Sequence, residues 1–249
     1  MPRILRTDAI CLRSVPWRET SKLVTIFSPE YGKLVLKAKG ARRPSSRFGA
    51  ALEVATNARV IFYKSERHSP STLSDTEILD DFDGLRADER AFRAATVALE
   101  FTNRAFETEA PNPSVYRLLL GLLRALDTGR AEPPGSGEAA AAAFAYLFRA
   151  AGQIGYAPQL SHCVVCRRPK AAAFSARRGG LLCGQCVALE PDALRVNAGL
   201  LRRLRSLYYG SYEQNLRHPL VPDISSLVIA YLQFHLDRFE LKTLRFIAG

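Results

Sequence analysis

Lys22-Leu23-Val24-Thr25-Ile26-Phe27-Ser28-Pro29-Glu30-Tyr31-Gly32-Lys33-Leu34-Val35-Leu36-Lys37-Ala38 sets two short apolar runs on either side of a five-residue turn. β-Branched and aliphatic residues fill 22–27 and 33–38, while Pro29 and Gly32 break regular structure between them. Working outward, comparable runs lie at 9–13, 54–63 and 72–79, and turn-forming stretches at 40–46 and 65–71 separate them. Five strands in so short a segment predict a small closed β-barrel, because closure removes exposed edges. The imperfect alternation does not separate an SH3-like closure from other small barrels.

From about Asp83 the period changes to that of helices. Phe92, Ala95, Leu99 and Phe106 share one helical face, and Val115, Leu118, Leu119, Leu122, Leu123 and Leu126 keep the i, i+3, i+4, i+7 pattern. The Gly- and Pro-rich 128–137 is a loop, and the alanine-rich 139–153 is helical again. After a break over 163–186, helical spacing resumes at Leu200, Leu201, Leu204, Leu207 and Tyr208. It resumes once more at Ile224, Leu227, Val228, Tyr231, Leu232 and His235. No internal repeat is present. The expected architecture is α+β: a barrel domain over 1–80, then a helical domain over 81–249 carrying an insertion at 161–189.

Of 249 residues, 47% are apolar, enough for a substantial core, and 24% are charged, as is ordinary for a globular protein. The balance of charge is less ordinary. Lys and Arg number 35 against 24 Asp and Glu, a net +11 that favours polyanionic partners. Arg3, Arg6, Asp8 and Arg13 interrupt the N-terminus, so no apolar signal core forms there. The longest apolar stretch, 139–148, is well short of the ~20 residues that span a bilayer. The expected location is the cytoplasm, whose reducing conditions disfavour disulfides and leave the five cysteines needing another explanation.

Four of them form the most specific motif in the chain. Cys163-Val164-Val165-Cys166 is followed, sixteen residues later, by Cys183-Gly184-Gln185-Cys186. Zinc takes four thiolates in a tetrahedron at about 2.3 Å, and two C-x2-C knuckles supply paired ligands at a spacing expected of a zinc ribbon. A reducing dithiol pair is the competing reading. Four protein ligands leave no position for water, so the expected Zn2+ is structural, its binding energy serving to fold a segment with little core. His162 is a bystander beside four thiolates, and Cys11, in a strand, is a small core residue. Arg167, Arg168, Lys170, Arg177 and Arg178 make the insertion wholly basic between Cys163 and Leu189. They are candidate secondary contacts for phosphates, or else a solvated surface.

A second basic cluster lies in the barrel. Lys33, Lys37, Lys39, Arg42, Arg43 and Arg47 occupy fifteen residues without one acid. Even spacing puts the three lysines on one strand face, and the arginines continue into an irregular loop. Small barrels hold single strands in this way, cations tracking the backbone while aromatic rings stack on bases. Trp17, Tyr31, Phe48 and Tyr63 are the rings at hand, and a solvated charged face is the plainer alternative.

Catalytic motifs are missing. Gly32-Lys33 lacks the earlier glycine and the hydroxyl residue of a P-loop, and no H-x-E accompanies the cysteines. Asp80, Asp81 and Asp83 are the one tight carboxylate group. They precede a helix, where acids favour the N-terminal dipole, although a two-metal nuclease would also use such a cluster. His68, His218 and His235 have no evident nucleophile partner. The expectation is a binding protein and not an enzyme.

Several stretches resemble the family of the bacterial recombination protein RecO. At the N-terminus they are Arg13-Ser14, Glu19-Thr20-Ser21-Lys22-Leu23-Val24-Thr25, Pro29-Glu30-Tyr31-Gly32-Lys33 and Ala38-Lys39-Gly40-Ala41-Arg42-Arg43. At the C-terminus Phe234-His235-Leu236 and Leu241-Lys242-Thr243-Leu244-Arg245-Phe246 resemble that family's closing helix. The resemblance implies an OB-fold, then a helical bundle bearing the zinc module. It implies binding of single- and double-stranded DNA, annealing of complementary strands without ATP, and partnership with RecR. It further implies contact with the acidic C-terminal tail of single-stranded DNA-binding protein, help in loading RecA, and a place on the nucleoid. Lys33, Lys37, Lys39, Arg42 and Arg43 carry over as DNA contacts and the four cysteines as zinc ligands. For the tail, 200–205 with Arg202, Arg203 and Arg205 beside leucines offers a matching surface. The alternative from another class is a zinc-ribbon RNA-binding or transcription-associated factor without annealing activity. A zinc-dependent nuclease using Asp80 and Asp81 is a third.

Overall fold

The structure is a computed structural model that describes residues 3–65, 70–127, 134–236 and 239–247. The turn expected over 65–71 and the loop over 128–137 lie partly outside the described residues, and His68 lies wholly outside them. The chain forms two compact units, one over the described residues up to Asp127, the other from Pro134 onward.

In the first unit, β1 (Ile4–Trp17), β2 (Ser21–Ser28), β3 (Gly32–Ala38), β4 (Asn57–Tyr63) and β5 (Ser71–Asp80) close into a barrel of order β1-β2-β3-β5-β4. This is an OB-fold. The residues of β3 alternate strictly, Leu34, Leu36 and Ala38 pointing inward while Lys33, Val35 and Lys37 point out. Leu5, Val24, Ile26, Val60, Phe62 and Leu73 complete the interior. β3 and β5 pair in parallel, Leu36 with Ser71 and Lys37 with Thr72, which seals the barrel.

β1 is much longer than the apolar run at 9–13. Its first half pairs β4 from Ile4 to Ile10, its second half pairs β2 from Ile10 to Trp17, and an irregularity at Cys11–Arg13 bends it from one partner to the other. The expected strand at 54–63 starts late. Ala55 has φ 70°, and its segment instead bonds back to the bend, Ala55 N–H donating to Cys11 O and Cys11 N–H to Thr56 O.

The helices α1 (Asp83–Ala87), α2 (Glu89–Ala105) and α3 (Pro113–Leu126) belong to this unit, with α2 and α3 covering the outer side of β1 and β2. Phe27 there meets Phe106 edge-on, and Phe106 meets Phe101. Asp88 caps α2 by accepting from the N–H groups of Arg90 and Ala91, and Asn112 with Pro113 starts α3.

The second unit is built on α4 (Ser136–Gly152). Every residue from Ala139 to Phe148 is buried, as a helix apolar on all sides requires. Then come β6 (Ala173–Ser175), β7 (Gly180–Leu182), β8 (Leu194–Arg195), α5 (Ala198–Tyr209), α6 (Tyr212–Asn215) and α7 (Pro222–His235), of which α5, α6 and α7 pack on α4. The C-terminal segment expected in a closing helix forms only a 3-10 turn, Lys242–Phe246. Among the described residues no helix is long and apolar enough to cross a membrane.

Candidate nucleic-acid groove and metal centre

The turn joining β1 to β2 and the segment leaving β3 face each other across a groove of about 840 Å3. Trp17, Arg18, Glu19, Thr20 and Ser21 form one wall and Lys37, Lys39, Gly40 and Arg43 the other. Hydrogen bonding explains how two loops hold a shape. Arg42 N–H donates to Thr20 O, and its guanidinium donates to the carbonyls of Arg18 and Glu19 at 3.2 and 3.0 Å. Arg18 itself sits at φ 55°, which lets the chain reverse in so few residues. Above the half-buried indole of Trp17 lie the Arg18 guanidinium, 4.4 Å from the ring centroid, and the Lys37 ammonium, at 5.3 Å.

The six cations expected on the barrel therefore separate. Lys37, Lys39 and Arg43 line the groove, and Arg42 braces it. Arg47 is exposed over the ring of Phe48, which is itself in the barrel core. Lys33 turns away: its ammonium donates to Asn103 O at 2.6 Å, and burial holds its pKa below the ordinary lysine range. Of the four candidate rings, Trp17 is the one in the groove. Tyr31 packs edge-on against Phe62 on the barrel core, and Tyr63 is exposed at the end of β4. Sequence reading missed Arg18. Its place follows from the pairing of Trp17 with Ser21, which makes 18–20 a tight turn and which no local pattern in the sequence announces.

The four cysteines meet in the second unit. Their sulfurs all lie within 4.8 Å of one another, against about 3.8 Å between ligands of a regular tetrahedron with 2.3 Å metal–sulfur bonds. A small sheet of order β7-β6-β8 carries the knuckles. Val164 N–H donates to Leu181 O, and the N–H groups of Cys186 and Val187 both donate to Cys183 O. Arg167, directly after the first knuckle, takes φ 62°. The core beneath is tiny: Cys163, Ala173, Leu182 and Cys183 are its buried members.

Electrostatics suit a cation. Burial works against ionising Cys163, but backbone N–H groups of Cys166, Cys183 and Val165 aim at its sulfur and bring its pKa down to about 6. The N–H of Cys186 likewise lowers Cys183. Cys186 is pushed up to about 12, first by burial and then by the hydrogen bonds it shares with the neighbouring sulfurs. Four adjacent thiolates are stable only around a positive ion. The set could hold one, and it is the one such cluster of His, Cys, Asp or Glu among the described residues.

The basic residues around it are partly engaged. Arg167, Arg168, Lys170 and Arg177 are exposed, with Arg168 donating to the Gln185 side chain. Arg178 is paired with Glu190 at 2.5 Å. Glu190 lies just past the acid-free stretch, so the sequence did not betray this neutralisation. The aspartates at 80–83 form no metal-binding group: Asp80 accepts from Asn57 and Arg124, and Asp83 begins α1.

Two family models match the chain, Recombination protein O N terminal over residues 1–82 and Recombination protein O C terminal over residues 86–245. Among curated relatives, the DNA repair protein RecO of Halalkalibacterium halodurans is 30% identical over 97% of this chain and 93% of its own length. That of Nocardioides sp. is 31% identical over 98% of this chain and 99% of its own, and that of Bifidobacterium longum 30% over 98% of each.

Proposed function

The chain belongs to the recombination protein O family, and from that premise we propose that it is a DNA-binding mediator of recombinational repair. In this reading it anneals complementary single strands without ATP and, with RecR, helps to load RecA onto DNA covered by single-stranded DNA-binding protein. The observation that carries the reading is the groove on the barrel, where Lys37, Lys39 and Arg43 stand beside Trp17.

Annealing needs no catalytic group. Two strands repel through their phosphates, and a protein that neutralises those charges lets base pairing proceed. The barrel groove holds one strand and Arg167, Arg168, Lys170 and Arg177 of the cysteine module offer phosphate contacts to the other. Cys163, Cys166, Cys183 and Cys186 would hold a Zn2+ whose four protein ligands leave no position for water, so it would serve to fold the module and not to react. For the acidic tail of single-stranded DNA-binding protein the candidate surface is 200–205 of α5; Arg205 there donates to Leu160 O and Arg203 to Asn215 and His218, which leaves Arg202 as the cation to meet the tail. Such a protein works in the cytoplasm, on the nucleoid.

The test is single-stranded DNA affinity against salt, for the wild type and for Lys39, Arg42 and Arg43 changed to Glu. A large loss with a log–log slope flatter by about 0.7 per contact supports the barrel as the strand site. Unchanged binding refutes it. ATP-independent annealing of complementary oligonucleotides separates the repair reading from an RNA-binding or transcription factor, which would bind and not anneal.

A further inference from the structure

Trp17 is the single tryptophan of the chain, and it is neither packed in the barrel core nor left open to solvent. Its indole forms part of a groove wall, and two cations lie over the ring. A core tryptophan would be enclosed by apolar side chains. An incidental surface one would not stand in a concavity whose facing wall is Lys37, Lys39 and Arg43. From this juxtaposition we infer that Trp17 is a stacking platform for an unpaired nucleobase, and that it gives the groove its preference for single strands over duplex. The inference rests on the barrel being the DNA site and adds to it which strand state is taken.

The walls divide the work by charge. The wall from β3 carries Lys37, Lys39 and Arg43, whereas on the wall from the β1–β2 turn Glu19 offsets Arg18 and leaves no net charge to hold phosphate. The backbone of a bound strand is thereby directed along Lys39 and Arg43, and its bases are turned toward the indole. Lys37 links the two walls. Its ammonium rests 5.3 Å from the ring centroid and the exposed Arg18 guanidinium 4.4 Å, both on flexible stems, so an arriving base can take the ring while these cations move to phosphates. Arg42, bonded to the carbonyls of Arg18 and Glu19, keeps the platform in place. A duplex cannot use it, because its bases are already stacked on one another.

The experiment compares the full-length wild type, Trp17→Ala and Trp17→Phe on three probes: an oligothymidylate, an abasic strand of equal length, and a blunt duplex. Trp17→Ala should weaken the oligothymidylate about tenfold, within the range for one stacked base. It should leave the salt slope, the abasic strand and the duplex unchanged, and Trp17→Phe should recover most of the loss. Indole emission of the wild type should change on adding oligothymidylate and much less with the abasic strand. Equal loss on base-bearing and abasic strands, or no loss at all, overturns the inference. Lys39→Glu with Arg43→Glu tells the two readings apart. If that pair leaves single-strand binding intact, the barrel site itself is wrong; if it abolishes binding while Trp17→Ala changes nothing, only the stacking platform falls.

Discussion

Lys33 and Lys37 leave the same face of β3, yet their neighbours give them opposite tasks. The ammonium of Lys33 holds the Asn103 carbonyl, close to where Thr108 bridges to the strand, while that of Lys37 looks into an open groove. Lys33→Ala should therefore leave the salt slope of DNA binding unchanged, and Lys37→Ala should flatten it by about 0.7. Titrations over a salt series decide it. Tyr116 shows the same dependence on surroundings in its titration. Its hydroxyl donates to Asn57 Oδ1 at 2.9 Å, and the Asn57 amide donates to Asp80 in turn. Burial first, then the charge of Asp8, pushes its pKa from 10.0 up to about 12. The folded state thus keeps a proton that the unfolded chain gives up, so this contribution is whole below pH 10 and disappears as pH rises through 12. Tyr116→Phe should cost about 1 kcal/mol at pH 8, from the lost hydrogen bond and the carbonyl left short of a donor. The gap to wild type should close as pH rises above 10 and reverse before pH 12, because the pKa rise outweighs the lost bond, as read from urea midpoints at several pH values. A gap that stays constant with pH would show that Tyr116 keeps its ordinary pKa.

At the scale of elements, the β2–β3 hairpin and the cysteine module show two ways of holding a small structure. The hairpin turns at Gly32, with φ +63°, and the backbone of 108–110 lies against it so closely that a Cβ would stand 2.1 Å from Ala110 O. Gly32→Ala should cost about 3 kcal/mol from left-handed strain and overpacking together, visible as a fall in the urea midpoint. The module, with its four-residue buried core, depends on ligation instead. A chelator, or Cys166→Ser, should speed amide exchange across 159–196 and leave β1 to β5 protected. Uniform protection after metal removal would mean that the sheet and its packing suffice. These two elements were also the most legible in the sequence, because turn glycines and paired cysteines act through local spacing. The alternation of β3 announced its inner face in the same way. What stayed hidden depends on distant partners. β1 runs on through Arg13 and Pro16 because β2 pairs it, Ala55 leaves the strand region to bond Cys11, and Arg178 is neutralised by Glu190 twelve residues on. The groove was half legible: its cations could be counted, but only the pairing of β1, β2 and β3 sets Trp17 beside Lys37 and turns Lys33 elsewhere.

For the molecule as a whole, the question is whether a net charge of +11 binds DNA by itself or only where cations are gathered. Screening decides this. At about 0.15 M salt the Debye length is about 8 Å, so exposed charges farther than that from a phosphate contribute little, whereas at about 0.01 M it reaches about 30 Å and most of a domain is felt. Arg117 and Arg217 are exposed cations outside both basic clusters. Changing them to Glu alters the net charge as much as changing Lys39 and Arg43. Near physiological salt the Lys39 and Arg43 pair should weaken single-strand binding strongly and flatten the slope by about 1.4, while the Arg117 and Arg217 pair leaves both nearly unchanged. As salt falls toward about 0.01 M, the second pair should begin to cost affinity, because unscreened charge anywhere on the surface then attracts the strand. Equal effects of the two pairs at all salt concentrations would mean that total charge and not the groove holds DNA. Annealing adds a second requirement, since two strands must be held at once. Reversal of Arg167, Arg168 and Arg177 should accordingly slow annealing more than it weakens binding of a single strand. If annealing keeps its wild-type rate in that variant, the cysteine module does not hold the second strand.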